Sequence, residues 1–328
     1  MRLIHLIESF APSGATTQAR LLAEASADVS TVLVSLAPFG PWGDAWRTRG
    51  SHSLGRRFAF DPFAWVAWRR LLAKRRPDVV LTTEPKCARF VARAGHGAAR
   101  WAQITDRPAA VFPAAPYVAC SDERHAEAAA APYVPNAVAV CADPSIRQTV
   151  RDELGLADGA LLVVAGVRMR RACPVKEIAW AADLLRVVRP GSLVLVAGEG
   201  PGRVAAERFA AEAAEPGCVR FIGPRPDWPS LVAAADAVWA PQAETLAATS
   251  VVEALAAGRP VVFATSSAIS TATPPGVRAI RFDDRAGWVR NTLELLAEAP
   301  PEPQAASLAA HTPGEASRRR AEWLLSLR

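Results

Sequence analysis

Residues 241–262 read PQAETLAATSVVEALAAGRPVV, and the order of residue types in that stretch decides the fold. It follows the apolar run Ala237–Trp239 with a polar loop. Thr249 and Ser250 then stand where a helix would be capped, and the spacing of Val251, Val252 and Leu255 carries a helix on to Ala257. Val261–Ala264 is a second apolar strand. Strand, loop, helix and strand in that order make one winding of a parallel α/β sheet.

The same alternation extends in both directions. In the second half, strands are predicted at Leu161–Ala165, Leu193–Ala197 and Val219–Ile222, with helices at Ile178–Val188, Gly202–Ala214 and Ser230–Ala235 between them. In the first half, Leu3–Ile7, Thr31–Leu36, Val79–Thr82, Arg100–Ile104 and Tyr117–Ala119 read as strands. Helices fall at about Thr16–Ala27 and at Phe63–Arg76, and a further helix is capped by Ser121 or Asp122. The expectation is an α/β protein of two doubly wound, Rossmann-like units facing a cleft, and 328 residues suit two domains. The turn residues of VPNAVAVCADP place the junction between Pro135 and Ile146. The expected domains are 1–140 and 141–298, followed over 299–328 by a Pro/Ala-rich linker and a last helix at Glu315–Leu327.

Composition narrows the function classes. Hydrophobic residues make up 51% and charged residues 21%, so a sizeable core can form. No run approaches the ~18 apolar residues of a membrane span, and MRLIHLIESF does not read as a signal peptide. Five scattered cysteines disfavour a zinc knuckle, a CxxC redox site and a disulfide framework, and they suit a reducing cytoplasm. The net charge of +6 lies wholly in the first half: residues 1–150 hold 18 basic and 12 acidic side chains, and residues 151–328 hold 20 of each.

Parallel sheets place ligands at the carboxyl ends of their strands, so the loops there carry the candidate chemistry. Gly14 lies in a loop that opens the first helix, where backbone N–H groups can hold an anion or simply turn the chain. Gly198-Glu-Gly200-Pro-Gly202 is part of a glycine-rich fingerprint or only a turn, and the turn is the better reading. Neither loop has the spacing of a nicotinamide-binding fingerprint. Arg168, Arg170, Arg171 and Lys176 follow one strand and suit a diphosphate, with a solvated basic loop as the plain alternative. Glu253 stands one turn into its helix, either facing a ligand held by the helix end or serving as a favourable first-turn anion.

Taken in order, these segments resemble the family-4 retaining glycosyltransferases, whose fold is GT-B. The matches are DPSIRQTVRDELGL (143–156), the Arg168…Lys176 pair, GEGP (198–201), VRFIG (219–223), AAADAVWAPQ (233–242) and VVEALAAGRPVV (251–262). VPNAV (134–138) is similar to the IPNGV element that closes the family's first domain, and ESFAPSGATTQARLLA (8–23) and RRPDVVLTT (75–83) are similar to its first loop and a strand.

The resemblance implies a nucleoside diphosphate sugar as donor substrate, transfer to a glycan, lipid or small-molecule acceptor, and no metal or cofactor. Arg168 and Lys176 would take the pyrophosphate, Glu253 the ribose, and the helix end at Ser250 and Val251 a phosphate. Pro224 and Arg225 would meet the base, the Gly14 loop would close over the donor, and Glu244 or Thr245 would sit at the transferred sugar. The implied catalytic residues are Glu244, Lys176 and Arg168. Two departures stand out. The family's two glutamates are separated by seven residues, and counting back from Glu253 reaches Thr245, with Glu244 one position early. WAQITD (101–106) lacks the histidine the family often has there. The alternative is therefore a glycosyltransferase-like protein that binds nucleotide or glycan without transfer.

Residues 56–76 combine aromatic and basic side chains. Trp65, Trp68, Leu71 and Leu72 share a helix face that either packs on the sheet or lies on an anionic membrane, and packing is the plainer reading. The expected location is the cytoplasm, with peripheral membrane contact through the basic half left open. No nucleic-acid-binding motif accompanies the charge.

Overall fold

A computed structural model of the chain describes all residues except 27, 106–114, 142, 144, 170–174, 244, 245, 247, 266–272, 299–307 and 328. It divides into two compact units, Met1–Val138 with Ala309–Arg328, and Ala139–Leu308.

The first unit contains β1 (Arg2–Ile7), α1 (Gly14–Glu24), β2 (Ser30–Ser35), α2 (Gly43–Arg47), β3 (His52–Ser53), α3 (Pro62–Arg75), β4 (Val79–Thr82), α4 (Pro85–Ala94), β5 (Arg100–Thr105), β6 (Tyr117–Cys120) and α5 (Glu123–Ala128). The second contains α6 (Ile146–Leu154), β7 (Leu162–Gly166), α7 (Val175–Val188), β8 (Leu193–Ala197), α8 (Arg203–Ala213), β9 (Val219–Gly223), α9 (Trp228–Ala234), β10 (Ala237–Ala240), α10 (Thr249–Ala256), β11 (Val261–Thr265), β12 (Val277–Arg281) and α11 (Arg285–Ala297). A last helix, α12 (Pro313–Ser326), belongs to the first unit.

Each unit holds one six-stranded sheet, ordered β3-β2-β1-β4-β5-β6 and β12-β11-β10-β7-β8-β9. Every pairing is parallel. Counted within its own unit, each sheet has the order 3-2-1-4-5-6 of a Rossmann-like domain. The expected α/β class is therefore present twice. Helices cover both faces, which is why the central strands read as unbroken apolar runs. In the second sheet, Val163, Ala165, Val194 and Val196 face one core and Leu162, Val164, Leu193 and Leu195 the other.

Two edge strands have no counterpart among the predicted elements. β3 is only two residues long, and β12 (VRAIR) carries one arginine on each face, Arg278 half-buried and Arg281 exposed. Asp122 rather than Ser121 caps α5, accepting the His125 N–H at 3.0 Å.

The chain returns to the first unit through α12. Ala316, Ser317, Arg320, Trp323 and Leu324 are buried at helical spacing, and Trp323 and Leu324 pack with Leu3, Leu81, Ala102 and Ala119. The helix read at Glu315–Leu327 is thus an integral layer of the first unit, not a separate appendage. It carries a buried cation: Arg320 donates from Nη2 to the Leu22 carbonyl, and Ser317 donates to the same oxygen at 3.2 Å. Nearby His5 is fully buried. Burial, with the charge of Arg320 acting in the same direction, pushes its pKa down to about 3, so the ring is a neutral packing group. Among the described residues no helix is long and apolar enough to cross a membrane.

The closing role of α12 predicts a cost for hollowing it out. Leu324 is fully buried, so Leu324→Ala should destabilise the protein by about 2–5 kcal/mol, read as a lower denaturant midpoint at unchanged slope.

Candidate functional site

A 3-2-1-4-5-6 sheet reverses direction between its first and fourth strands, and the loops leaving those two strands diverge to open a crevice. In the second sheet the reversal lies between β7 and β10. The loop after β7 carries Arg168, and the loop after β10 carries Gln242.

One side chain joins the two loops. The Arg168 N–H donates to Gln242 Oε1 at 2.9 Å, and Gln242 Nε2 donates back to the Arg168 carbonyl at 2.9 Å. The backbone of Arg168 is therefore fixed while its side chain stays exposed. Sequence reading did not single out Gln242. The available signal was an amide two residues past the strand that flanks the reversal.

The glycine-rich stretch holds the same loop from the other side. Val167 N donates to the Ala197 carbonyl at 2.8 Å, Met169 N to Glu199 at 3.1 Å, and Gly202 N to Met169 at 2.9 Å. A Cβ on Gly198 would lie 1.9 Å from the Val167 carbonyl oxygen, and one on Gly200 would lie 2.1 Å from that of Met169. Both glycines have positive φ, 138° and 153°. They are required for close backbone packing against the Arg168 loop, a structural role between the two readings of this motif.

Glu253 sits on α10 with only 6% exposure. Its carboxylate accepts the indole N–H of Trp228 at Oε2, 2.8 Å away. Burial pushes its pKa up to about 7, and the Trp228 hydrogen bond pulls the other way. Trp228 opens α9, and its ring edge lies against Gly166 at the end of β7: a Cβ there would stand 3.4 Å from the ring. Trp228 thus connects Glu253 to the strand before Arg168. This partner was also missed, since nothing in the DWP turn of the sequence links it to position 253.

The start of α10 differs from expectation. Ala248, not Thr249 or Ser250, occupies the N-cap, and its side chain makes no capping bond. Val251 and Val252 donate to the Ala248 carbonyl at 2.9 and 3.1 Å, so Thr249 and Ser250 precede the first intrahelical bond. An apolar cap leaves the donors of the first turn for another acceptor.

The remaining candidates are distributed as follows. Lys176 is the second residue of α7, exposed, with Nζ 5.2 Å from the ring centre of Phe209 on α8. Pro224 and Arg225 follow β9, and Arg225 is held by Asp227 in a two-pronged ion pair at 2.7 and 2.5 Å. Glu244 and Thr245 lie outside the described residues, as do Arg170 and Arg171. Gly14 belongs to the first unit, where it opens α1 behind the N-cap Ser13. Its loop is folded on itself, since Thr16 Oγ1 donates to the carbonyls of Ser9 and Ala11 at 3.1 and 2.9 Å. At the same end of that sheet, the Glu8 N–H donates to Glu84 at 2.5 Å and Lys86 pairs with Glu8.

Residues 160–298, from two residues before β7 to one residue past α11, match the family model Glycosyl transferases group 1. The match covers most of the second unit. No curated protein matches the chain in sequence. Among solved structures, the Anabaena protein HepE, crystallised with UDP and glucose, is similar over 99% of this chain and 100% of its own, at 17% identity and a TM-score of 0.75. AviGT4, a glycosyltransferase involved in avilamycin A biosynthesis, is similar over 100% and 98% at 17% identity and a TM-score of 0.61. The UDP-GlcNAc 2-epimerase from Neisseria meningitidis, bound to UDP-GlcNAc, is similar over 99% and 100% at 10% identity and a TM-score of 0.55. At these identities the likeness is one of fold, and that fold is GT-B.

Two outcomes follow from the geometry. Gly198→Ala should force the Arg168 loop off β8 and lower stability by on the order of 2–4 kcal/mol, measured by urea unfolding. The second concerns pH. Glu253 has a folded pKa near 7 against an ordinary 4.5, so its contribution to stability is complete below the unfolded value and is lost as pH rises through about 7. Glu253→Gln keeps an acceptor for Trp228 and removes the titration. Its stability relative to the parent should therefore grow by about 3 kcal/mol from about pH 4 to about pH 8.

Proposed function

We propose that the chain is a metal-independent glycosyltransferase that moves a sugar from a nucleoside diphosphate sugar to an acceptor with retention of configuration. The observation that carries this reading is the assembly at the reversal of the second sheet: Arg168, fixed by Gln242, and Glu253, held by Trp228, in a domain that matches Glycosyl transferases group 1.

In this reading Arg168 and Lys176 take the diphosphate. Charge builds on that group as the bond to the sugar breaks and the anomeric carbon becomes oxocarbenium-like, and two cations offset it. The first turn of α10, at Thr249 and Ser250 with Val251 behind them, offers N–H groups to a phosphate. Glu253 receives the ribose hydroxyls. A carboxylate so deeply buried ionises readily only when donors surround it, and a ribose would add donors to the one Trp228 supplies. The backbone of Pro224 and Arg225 faces the base. Glu244, with Thr245 beside it, contacts the transferred sugar. HepE, which shares the fold, was crystallised with UDP-glucose, consistent with a uridine donor.

Thr245 supports a second reading, nucleotide or glycan binding without transfer, because it occupies the position separated from Glu253 by seven residues. One series of measurements separates the two. Calorimetry with UDP, GDP and ADP should find at least one binder, and Lys176→Ala and Glu253→Ala should each weaken it by roughly tenfold or more. Failure of every nucleotide to bind rejects both nucleotide readings. Sugar transfer or donor hydrolysis that Glu244→Gln abolishes establishes the enzyme. Nucleotide binding with neither activity leaves the binding protein. NMR of the product's anomeric proton reports retention directly.

A further inference from the structure

The aromatic and basic stretch of the first unit has been sorted by folding into an inside and an outside. The tryptophans went inside: Trp68 is fully buried, its indole donating to the Gly95 carbonyl at 2.7 Å, and Trp65 packs half-buried beside it. The phenylalanines went outside. Phe58, Phe60 and Phe63 are 58%, 65% and 81% exposed, and Val66 joins them on the outer face of α3.

Their exposure is built into the local structure. Arg56 donates from Nε to the Phe58 carbonyl at 3.0 Å and from Nη2 to that of Ala59 at 2.8 Å. Asp61, itself buried, accepts the N–H groups of Arg57, Phe63 and Ala64 at 3.1, 3.1 and 3.3 Å. The turn before α3 is therefore tied down, and the aromatic side chains project from a fixed backbone.

Cations surround them. Arg57, Arg69, Arg70 and Lys74 are exposed, and none forms an ion pair among the described residues. Arg93 of α4 lies 5.2 Å over the Phe60 ring. Along α3 the outer stripe runs Phe63, Val66, Arg70, Lys74, apolar at the end nearest the projecting turn and cationic beyond it. Asp61 is the only acid between Arg56 and Arg76, and its oxygens are occupied by backbone donors.

We propose that the surface formed by Phe58, Phe60, Phe63 and Val66, with Arg69, Arg70 and Lys74 beside it, docks on an anionic lipid bilayer. Aromatic side chains on a fixed turn suit the headgroup–acyl boundary, and unpaired cations on the same face suit negatively charged headgroups. The two features need one partner that is apolar beneath and anionic above. A lipid surface has that layering, whereas an acidic protein groove or a nucleic acid supplies the charge without the apolar layer. This inference stands on the first unit and does not depend on the donor chemistry proposed for the second.

The test is sedimentation of the full chain with phosphatidylcholine vesicles that contain or lack phosphatidylglycerol. The chain should bind the mixed vesicles, bind plain phosphatidylcholine far more weakly, and lose affinity with added salt. The combined variant Phe58→Ser, Phe60→Ser, Phe63→Ser and the combined variant Arg69→Glu, Arg70→Glu, Lys74→Glu should each reduce binding at least ~tenfold. All six side chains are exposed, so circular dichroism and thermal unfolding should match the parent, which separates lost docking from lost folding. Absence of vesicle binding, equal binding with and without phosphatidylglycerol, or binding that either variant leaves unchanged overturns the proposal.

Discussion

The close approach of two backbone segments underlies the second unit's site. Residues 167–169 and 198–202 lie so near each other that no side chain fits between them at Gly198 or Gly200. Backbone hydrogen bonds continue past the ends of β7 and β8, so the loop bearing Arg168 extends the sheet instead of wandering from it. Gln242 then holds the opposite edge of that loop through two hydrogen bonds to Arg168. A loop clamped on both sides presents its arginine from a fixed backbone, so in the contact proposed with a diphosphate only the side chain would have to settle. Most of the ordering cost of such a contact is met by the fold, which is the physical content of preorganisation.

Glu253 illustrates the opposite strategy, a carboxyl group kept out of water. It is buried, near neutrality in its titration, and has one strong donor, the Trp228 indole. A carboxylate serving only as a favourable anion at a helix start would stay in water, where it costs nothing to ionise. Burial with the Trp228 indole as the one donor among the described residues makes sense if further donors arrive from outside the chain. Trp228 matters doubly here, since its ring also packs on Gly166 and so relates the position of Glu253 to the end of β7.

How much of this was legible depends on the range of the interaction. The buried central strands announce themselves, because a strand covered on both faces must be apolar throughout. The ordered loops after those strands could be read as well, since they follow directly in sequence. Edge strands could not: two residues at His52–Ser53 carry no pattern, and the arginines of Val277–Arg281, one on each face, interrupt its apolar run. Partners far apart in the chain were equally hidden. Gln242 meets Arg168 across 74 residues and Trp228 meets Glu253 across 25, and no local rule selects either pair. The helix start at Ala248 was misread for a different reason. Thr249 and Ser250 have the composition of caps, but the turn places them one step inside the helix.

The uneven charge gains a physical meaning from where the cations end. In the second unit they are largely spent on internal acids. Arg147 and Arg151 both engage Asp236, Arg203 engages Glu199 and Glu207, Arg225 engages Asp227, and Arg285 engages Glu177. Pairing of this kind lets equal numbers of opposite charges coexist without a strong outward field. In the first unit the acids run out. Residues 47–93 contain 12 basic and three acidic side chains, so most cations there must face solvent or something anionic. Folding then adds a constraint that charge alone would not: it buries the tryptophans of α3 and leaves the phenylalanines beside those cations. A surplus needed only for solubility would not require three large aromatic side chains held at the surface by a tied backbone, because such exposure promotes association unless a matching surface covers it.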